Sequence, residues 1–245
     1  MSSTPPAVLV GTGLTKRYGS LTVLDDVDFA VADGEAVGIV GPNGAGKTTL
    51  LSVLSGSTPG TAGRIHLLGE DVTHARPETR CRRGIGRAFQ VPRPFGGMTV
   101  LENVIVGASF GGGLTGSGGY DRAIDVLELC GLVSLANRRA EDLGLLSRKR
   151  LELARALATG PQVLLLDEIG GGLTDAEALE LVDTILRLRE RGVAIVWIEH
   201  IVHVLLRVVD RLICMAAGKV LADGEPRAVL ADPQVIEAYL GRAVA

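Results

Sequence analysis

Aromatic residues are scarce in this chain: one Trp, three Tyr and four Phe among 245 positions. Packing must therefore rest on Leu, Val, Ile and Ala, which suits buried parallel strands covered by helices. Cysteine is also sparse. Cys81, Cys130 and Cys214 are odd in number and match neither zinc-ligand spacing nor a disulfide framework, so they read as thiols in a reducing compartment. Excess charge is missing too, since a net charge of −3 exerts no general pull toward nucleic acid or acidic membrane. No apolar run is long enough to span a bilayer, and Met1 to Val10 lacks the charged and apolar regions of a signal peptide. The expectation is a protein that acts at a membrane, if at all, as a peripheral subunit. No internal repeat is visible, so a single copy of one functional unit is expected.

What is present is led by Gly41-Pro42-Asn43-Gly44-Ala45-Gly46-Lys47-Thr48-Thr49, which fits G-x-x-x-x-G-K-[ST]. The apolar run Ala36–Val40 enters it as a strand, and Thr49 to Leu54 leaves it as a helix. Glycines let successive backbone N–H groups curl round a phosphate, and the helix N-terminus adds positive potential. Lys47 is placed to reach the β- and γ-phosphates, and Thr48 to put its hydroxyl on Mg²⁺. A chance Gly-rich turn would not carry the strand and helix in order. The motif predicts a nucleoside triphosphate site.

A second half of the site lies far downstream. Val163–Leu166 is a wholly apolar strand ending in Asp167-Glu168. Asp167 suits a Mg²⁺ ligand, direct or through water, and Glu168 a general base that polarises the attacking water. An Asp-Glu pair alone is often just a polar strand end; the upstream phosphate loop decides the reading. Val193–Ile198 is another buried strand, and His200 at its end is placed to contact the γ-phosphate. Between them Thr174-Asp175-Ala176-Glu177 has the capping-box pattern and opens a helix that stops at Gly192.

The remaining elements are coarser. Short alternating runs between residues 8 and 35, broken at Gly19-Ser20 and Asp33-Gly34, predict antiparallel strands, closed by another at Gly63 to Gly69. Gly107 to Tyr120 is rich in Gly and Ser and reads as a surface loop or flexible insertion. Ile124, Leu127, Leu129 and Leu132 predict an amphipathic helix. Leu151, Leu153, Ala154 and Leu157 predict another, opened by Arg148-Lys149-Arg150. Arg76, Arg80, Arg82, Arg83 and Arg87 form a basic stretch that reads as a solvated face rather than a nucleic-acid surface.

With these residues in order, the chain resembles the ATP-binding subunits of ABC transporters over nearly its whole length. Phe89-Gln90 looks like the loop whose glutamine senses Mg²⁺ and water and couples to the membrane subunit. Tyr18 occupies the position of the aromatic that stacks on adenine, and Arg155 matches the helix after the family's signature loop. Gly171-Gly172-Leu173-Thr174 sits where the dimer-crossing loop belongs. Gly84 to Gln90, Phe95, Met98 to Val104 and the tail Gly224-Glu225-Pro226 with Val235 to Gly241 are similar to branched-chain amino-acid uptake ATPases. Urea-uptake ATPases share much of this, and lipopolysaccharide-export ATPases share the tail.

The resemblance implies an α/β, P-loop NTPase fold of ABC type. It comprises a mixed, largely parallel sheet core, an N-terminal antiparallel β subdomain and a helical subdomain. The whole of 1–245 is expected to be a single ABC ATPase domain, with residues 1–90 and 160–245 as the nucleotide-binding core and 91–159 as the helical part. It implies ATP and Mg²⁺, with catalytic Glu168, His200 and Gln90 and metal-binding Thr48, Gln90 and Asp167. Implied partners are integral-membrane permease subunits, a second ABC ATPase and, indirectly, a substrate-binding protein. No nucleic acid is implied. The place is the cytoplasmic face of the cell membrane.

One departure stands out. The signature, usually Leu-Ser-Gly-Gly-Gln, falls at Leu143-Gly144-Leu145-Leu146-Ser147. Gly144 removes a hydroxyl, and a side chain at 146 would crowd backbone N–H groups that approach a γ-phosphate. Ile169 also replaces the proline common after the catalytic glutamate, a milder change. In ABC dimers a signature serves the partner's nucleotide, so a heterodimer with one weakened site is the preferred expectation, and a homodimer is the alternative. A regulatory subunit with low turnover is a further reading.

Overall fold

The computed structural model describes residues 6–240. The start of Met1 to Val10 and Gly241 of the tail therefore lie outside the described residues. Two sheets organise the chain. The first is antiparallel, in the order β2-β1-β4-β5, built from β1 (Ala7–Tyr18), β2 (Leu21–Ala32), β4 (Ala62–Leu67) and β5 (Glu70–Asp71). The short runs expected between residues 8 and 35 are two long strands joined at Gly19-Ser20. Asp26, at φ 55, bends β2 between its two apolar runs without ending it.

The second sheet has the order β10-β9-β3-β8-β7-β6. β3 (Ala36–Val40), β7 (Val163–Asp167) and β8 (Ala194–Ile198) are buried at every position. They pair in parallel with one another, with β6 (Ile85–Ala88) and with β9 (Arg211–Ala216), while β10 (Lys219–Gly224) adds antiparallel to β9. Strands buried on both faces need near-continuous apolar sequence, which explains why their residues do not alternate. β3 joins β9 and β8 in the interior of this sheet, and the helix after it, α1 (Lys47–Ser55), packs its leucines into the core between the two sheets.

Helix α2 (Pro77–Arg82) precedes β6. Helices α3 (Val100–Val106), α4 (Ser117–Leu129) and α5 (Leu145–Ala158) pack together, and α6 (Asp175–Glu190) follows β7. The Gly107-to-Tyr120 stretch is only partly the loop expected. Gly107–Gly111 continues α3 as a π-helical turn, and α4 begins at Ser117. Close packing explains it: a Cβ on Gly107 would lie 2.6 Å from the Arg155 carbonyl oxygen, so glycine lets this turn rest on α5. Helix α5 likewise starts at Leu145, three residues before the basic cluster expected to open it, and Lys149 is buried. α4 ends at Leu129, one turn short of the pattern, because Gly131 turns the chain at φ 66; Leu132 is still buried beyond it.

The basic stretch is not one solvated face. Arg80 is buried and donates to four backbone carbonyls: Val53 (2.7 Å) and Leu54 (2.8 Å) at the end of α1, Thr73 (2.8 Å) and Ala75 (3.1 Å). Carbonyls at a helix C-terminus lack intrahelical partners, and a cation there also meets the negative end of the helix dipole. Arg80→Met strands these acceptors and should cost about 3 kcal/mol, the scale of hydrogen bonds to a charged group. A urea midpoint unchanged from the parent would remove Arg80 from this role.

Candidate nucleotide site

Four parallel strands end at one edge of the second sheet, and each hands on a different part of the site. β3 leads into Gly41–Thr49, β8 into Glu199 and His200, β7 into Asp167 and Glu168, and β6 into Phe89 and Gln90. Register aligns them: Ile39 and Asp167 both pair with Ile198, and Ala88 pairs with Leu166. Ligand sites of open α/β sheets form at this carboxyl edge.

The phosphate loop needs its glycines for space. A Cβ on Gly41 would stand 2.0 Å from the Met215 carbonyl oxygen, and one on Gly46 2.6 Å from that of Val23. The loop and Glu168 line an open cleft of about 250 Å³ with Val23. Pro42 joins Gly41 in accepting from Lys47, whose buried ammonium donates to the Gly41 carbonyl at 2.7 Å and the Pro42 carbonyl at 3.0 Å. Burial pushes the Lys47 ammonium below its ordinary range, while Glu168, Cys214 and Asp167 pull it back up. Asn43, Gly44, Ala45, Thr48 and Thr49 complete the wall. Tyr18, exposed at the end of β1 with the Lys16 ammonium 4.6 Å from its ring centre, stands outside the lining of that cleft.

Asp167 is buried and bracketed. Its Oδ1 accepts from the Thr48 hydroxyl at 3.1 Å, and its Oδ2 from Arg87 at 2.9 Å. Glu168 follows with φ 47, a conformation that a side chain of its size adopts at a cost. Its backbone N–H donates to Ile198. Its carboxylate is held on both sides: the Gln90 amide donates to Oε2 at 2.6 Å, and the His200 Nε2 lies 2.7 Å from Oε1. Glu168, Gln90 and His200 thus converge from three strand ends.

Three further residues join the site. Arg87, expected on the solvated basic face, has a side chain only 8% exposed and pairs with Asp167. A charge inside the strand Ile85–Ala88, three residues before Gln90, is the sequence signal that marks it. Lys149, in the basic cluster, is buried and donates to the Gln90 carbonyl at 2.6 Å. Its spacing of three, four and seven from the buried Glu152, Leu153 and Ala156 places it on the packed face. Glu199 is 2% exposed and accepts from the backbone N–H groups of Gly170 and His200, each at 3.1 Å.

The loop expected to carry the signature, Leu143 to Ser147, leads into α5. Gly144 is its N-cap with no side-chain cap, and Leu145, Leu146 and Ser147 form the first turn. Leu143 is buried and Leu145 exposed, while Leu146 is half-buried. The Cδ2 of Leu145 lies 3.3 Å from where a Cβ on Gly172 would be, so this turn rests on the loop after Glu168. Ile169 is buried in the core, and Thr174 caps α6 in a complete capping box with Glu177. Arg155 stacks on Phe95 at 4.7 Å and pairs with Glu152 at 3.1 Å.

A family described as ABC transporter matches residues 24–170, which span the phosphate loop and Glu168. The chain belongs to the ABC transporter family. A second family, described as branched-chain amino acid ATP-binding cassette transporter, matches residues 219–245. A high-affinity branched-chain amino acid transport ATP-binding protein, BraF of Pseudomonas aeruginosa, is 36% identical over 96% of this chain and 98% of its own. The ADP conformation of an ATP-binding cassette from an ABC transporter superposes with a TM-score of 0.87 at 31% identity, over 97% of this chain and 100% of that one. A dimeric cassette in a post-hydrolysis state, bound to ADP and phosphate, gives 0.80 at 26% identity over 89% of this chain and 99% of the other. As an ABC ATPase, this chain binds and hydrolyses ATP. Its described residues include no helix long and apolar enough to cross a membrane.

Glu199 makes the stability of this ATPase depend on pH. Burial is the largest cause of a raised carboxyl, opposed by the backbone N–H groups and reinforced by Glu168. A carboxyl that holds its proton more tightly folded than unfolded favours the fold most below its ordinary 4.5. That contribution is lost as pH rises from there through the raised folded value. Urea midpoints taken from pH 4.5 upward should therefore shift in favour of Glu199→Gln relative to the parent. A parent that gains on the variant instead would contradict the assignment.

Proposed function

We propose that this ABC ATPase is the peripheral, ATP-driven subunit of an importer for branched-chain amino acids, seated on permease subunits at the cytoplasmic face of the membrane. The observation that carries the catalytic reading is the convergence of Gln90 and His200 on the two oxygens of Glu168. Its substrate class follows the names of the relatives and of the family matched by residues 219–245. Phe89, Val91, Phe95 and Met98, exposed around Gln90, support docking of permease helices next to the hydrolytic carboxylate. A substrate-binding protein would act through that permease. Residues 1–90 and 160–245 would work as the nucleotide-binding core, and 91–159 as the helical part.

In this reading Gly41 to Thr49 cradles the phosphates, with Lys47 turning its ammonium from the loop carbonyls to the phosphate oxygens, and Tyr18 stacks on adenine. The oxygen donors Thr48 and Asp167, already 3.1 Å apart, fit Mg²⁺, with Gln90 as a further contributor. Among the described residues no three acidic, His or Cys side chains gather to hold a metal alone, in keeping with a metal held partly by substrate phosphates. Bound there, Mg²⁺ would neutralise phosphate charge. Glu168 orients the attacking water and takes its proton, Gln90 and His200 hold that carboxylate in place, and His200 reaches the γ-phosphate.

Glu168→Gln keeps the shape and an oxygen for the Gln90 amide but is a far poorer base, so hydrolysis should fall by roughly 10²–10⁴-fold. The variant should retain ATP and, with ATP and its proper partner, elute as a closed dimer in size-exclusion chromatography. Undiminished turnover would remove Glu168 from this role.

The dimer we propose is a heterodimer, because Leu145 and Leu146 replace the small residues that would let α5 approach the partner's γ-phosphate. The same substitutions favour a second reading, a regulatory subunit of low turnover. With this chain's own site silenced by Glu168→Gln, Leu146→Gly should raise hydrolysis at the heteropartner's site, and adding Gly144→Ser should raise it further. One recovered hydrogen bond to a charged group, about 1.5–3 kcal/mol, corresponds to gains of roughly tenfold to a hundredfold. A flat response to both substitutions would end the weakened-site reading.

A further inference from the structure

We propose that Arg87 is a positioning residue that sets the Asp167 carboxylate for the metal and ties it to the phosphate-loop helix. The inference rests on the reading of Asp167 as a Mg²⁺ ligand and names the group that makes it one. Arg87 and Asp167 lie on neighbouring parallel strands, and their side chains are 8% and 5% exposed. One guanidinium nitrogen donates to Asp167 Oδ2 at 2.9 Å; the other donates to Ser52 and Ser55 of α1, each at 3.1 Å. On the opposite side of the carboxylate, Thr48, also of α1, donates to Oδ1 at 3.1 Å. The two oxygens therefore have different duties. Oδ2 is occupied by Arg87, and Oδ1 faces the hydroxyl at the start of α1.

An aspartate carboxylate rotates easily about its last bond, so a single partner would leave its direction loose. Arg87 removes that freedom with a charge-assisted bond in a nearly dry setting, where such bonds are strong. The guanidinium is itself located from three sides: by the carboxylate, by the two serines and by the Phe89 ring, whose centre lies 4.6 Å from the guanidinium carbon. A guanidinium present only to neutralise charge would need neither serine. Through Ser52 and Ser55 it holds Asp167 in register with the helix that begins at Lys47 and Thr48. Groups behind a metal ligand that fix its direction typically change metal affinity by about 10–100-fold when removed.

The test uses the full chain with a non-hydrolysable fluorescent ATP analogue, titrated with Mg²⁺ and, separately, in EDTA. Arg87→Met should raise the Mg²⁺ concentration for half-maximal tightening of nucleotide binding by about tenfold, and Arg87→Lys, with a compact ammonium in place of a planar fork, by about threefold. Nucleotide affinity in EDTA should stay within about twofold of the parent, since Lys47 and the loop are untouched. A merely structural loss would lower both affinities together, and that result overturns the proposal, as does a parent-like Mg²⁺ requirement in both variants. Asp167→Asn is the control for the underlying reading. If it shifts the Mg²⁺ requirement and the Arg87 variants do not, the inference fails alone; if Asp167→Asn shifts nothing, the metal role of Asp167 fails first. Should Arg87→Met not fold, Arg87→Lys decides by itself, a threefold rise supporting the proposal and no change overturning it.

Discussion

The parallel pairing of β6, β7, β8 and β3 is the constraint on which the site depends. Parallel ladders bring strand carboxyl ends to one side. Here that side receives Gln90, Glu168, His200 and the phosphate loop. A slip of one residue in β7 would turn Asp167 to the opposite face and take Glu168 from between Gln90 and His200. Burial on both faces holds the register, because Val163–Leu166 and Ala194–Ile198 have apolar neighbours above and below.

The second organising feature is the density of desolvated charge at that edge. Lys47, Arg87, Lys149, Asp167 and Glu199 all come from buried or nearly buried positions, and each is answered by a hydrogen bond from or to a named group. Buried charge left unpaired costs several kcal/mol, so removing one member disturbs the rest. The strained backbone at Glu168 belongs to the same arrangement, since its N–H is tied to Ile198 while its side chain is held by residues of two other strand ends.

At the positions expected to depart from the family pattern, the fold keeps its frame. Ile169 fills core space, and Leu143 is buried as part of the helical packing. Leu145 and Leu146 sit differently, on the first turn of α5 next to the loop that follows Glu168. They leave the contacts of Glu168 with Gln90 and His200 in place. In the proposed heterodimer this would place an asymmetry between the two subunits.

Sequence alone determined whatever is encoded in consecutive residues. Nine residues from Gly41 to Thr49 carry the strand exit, the glycine-rich loop and the helix entry. Val163–Glu168 carries its apolar strand and carboxylates in one run, and the Thr174–Glu177 capping box closes on itself within one turn. Only the tertiary structure decided which of several similar residues were buried and with whom. Arg87 reaches Asp167 across a separation of 80 residues, Lys149 reaches Gln90 across 59, and Arg80 reaches Val53 across 27. Composition gives these cations the same appearance as their exposed neighbours Arg76 and Arg83. Likewise Gly107 and Gly111 read as flexibility in the sequence but serve close packing, Gly107 against α5 and Gly111 against Thr159 just beyond it. Local pattern reports what a residue can do next to its neighbours in the chain; desolvation and partner geometry are set by segments that meet only when the sheet has formed.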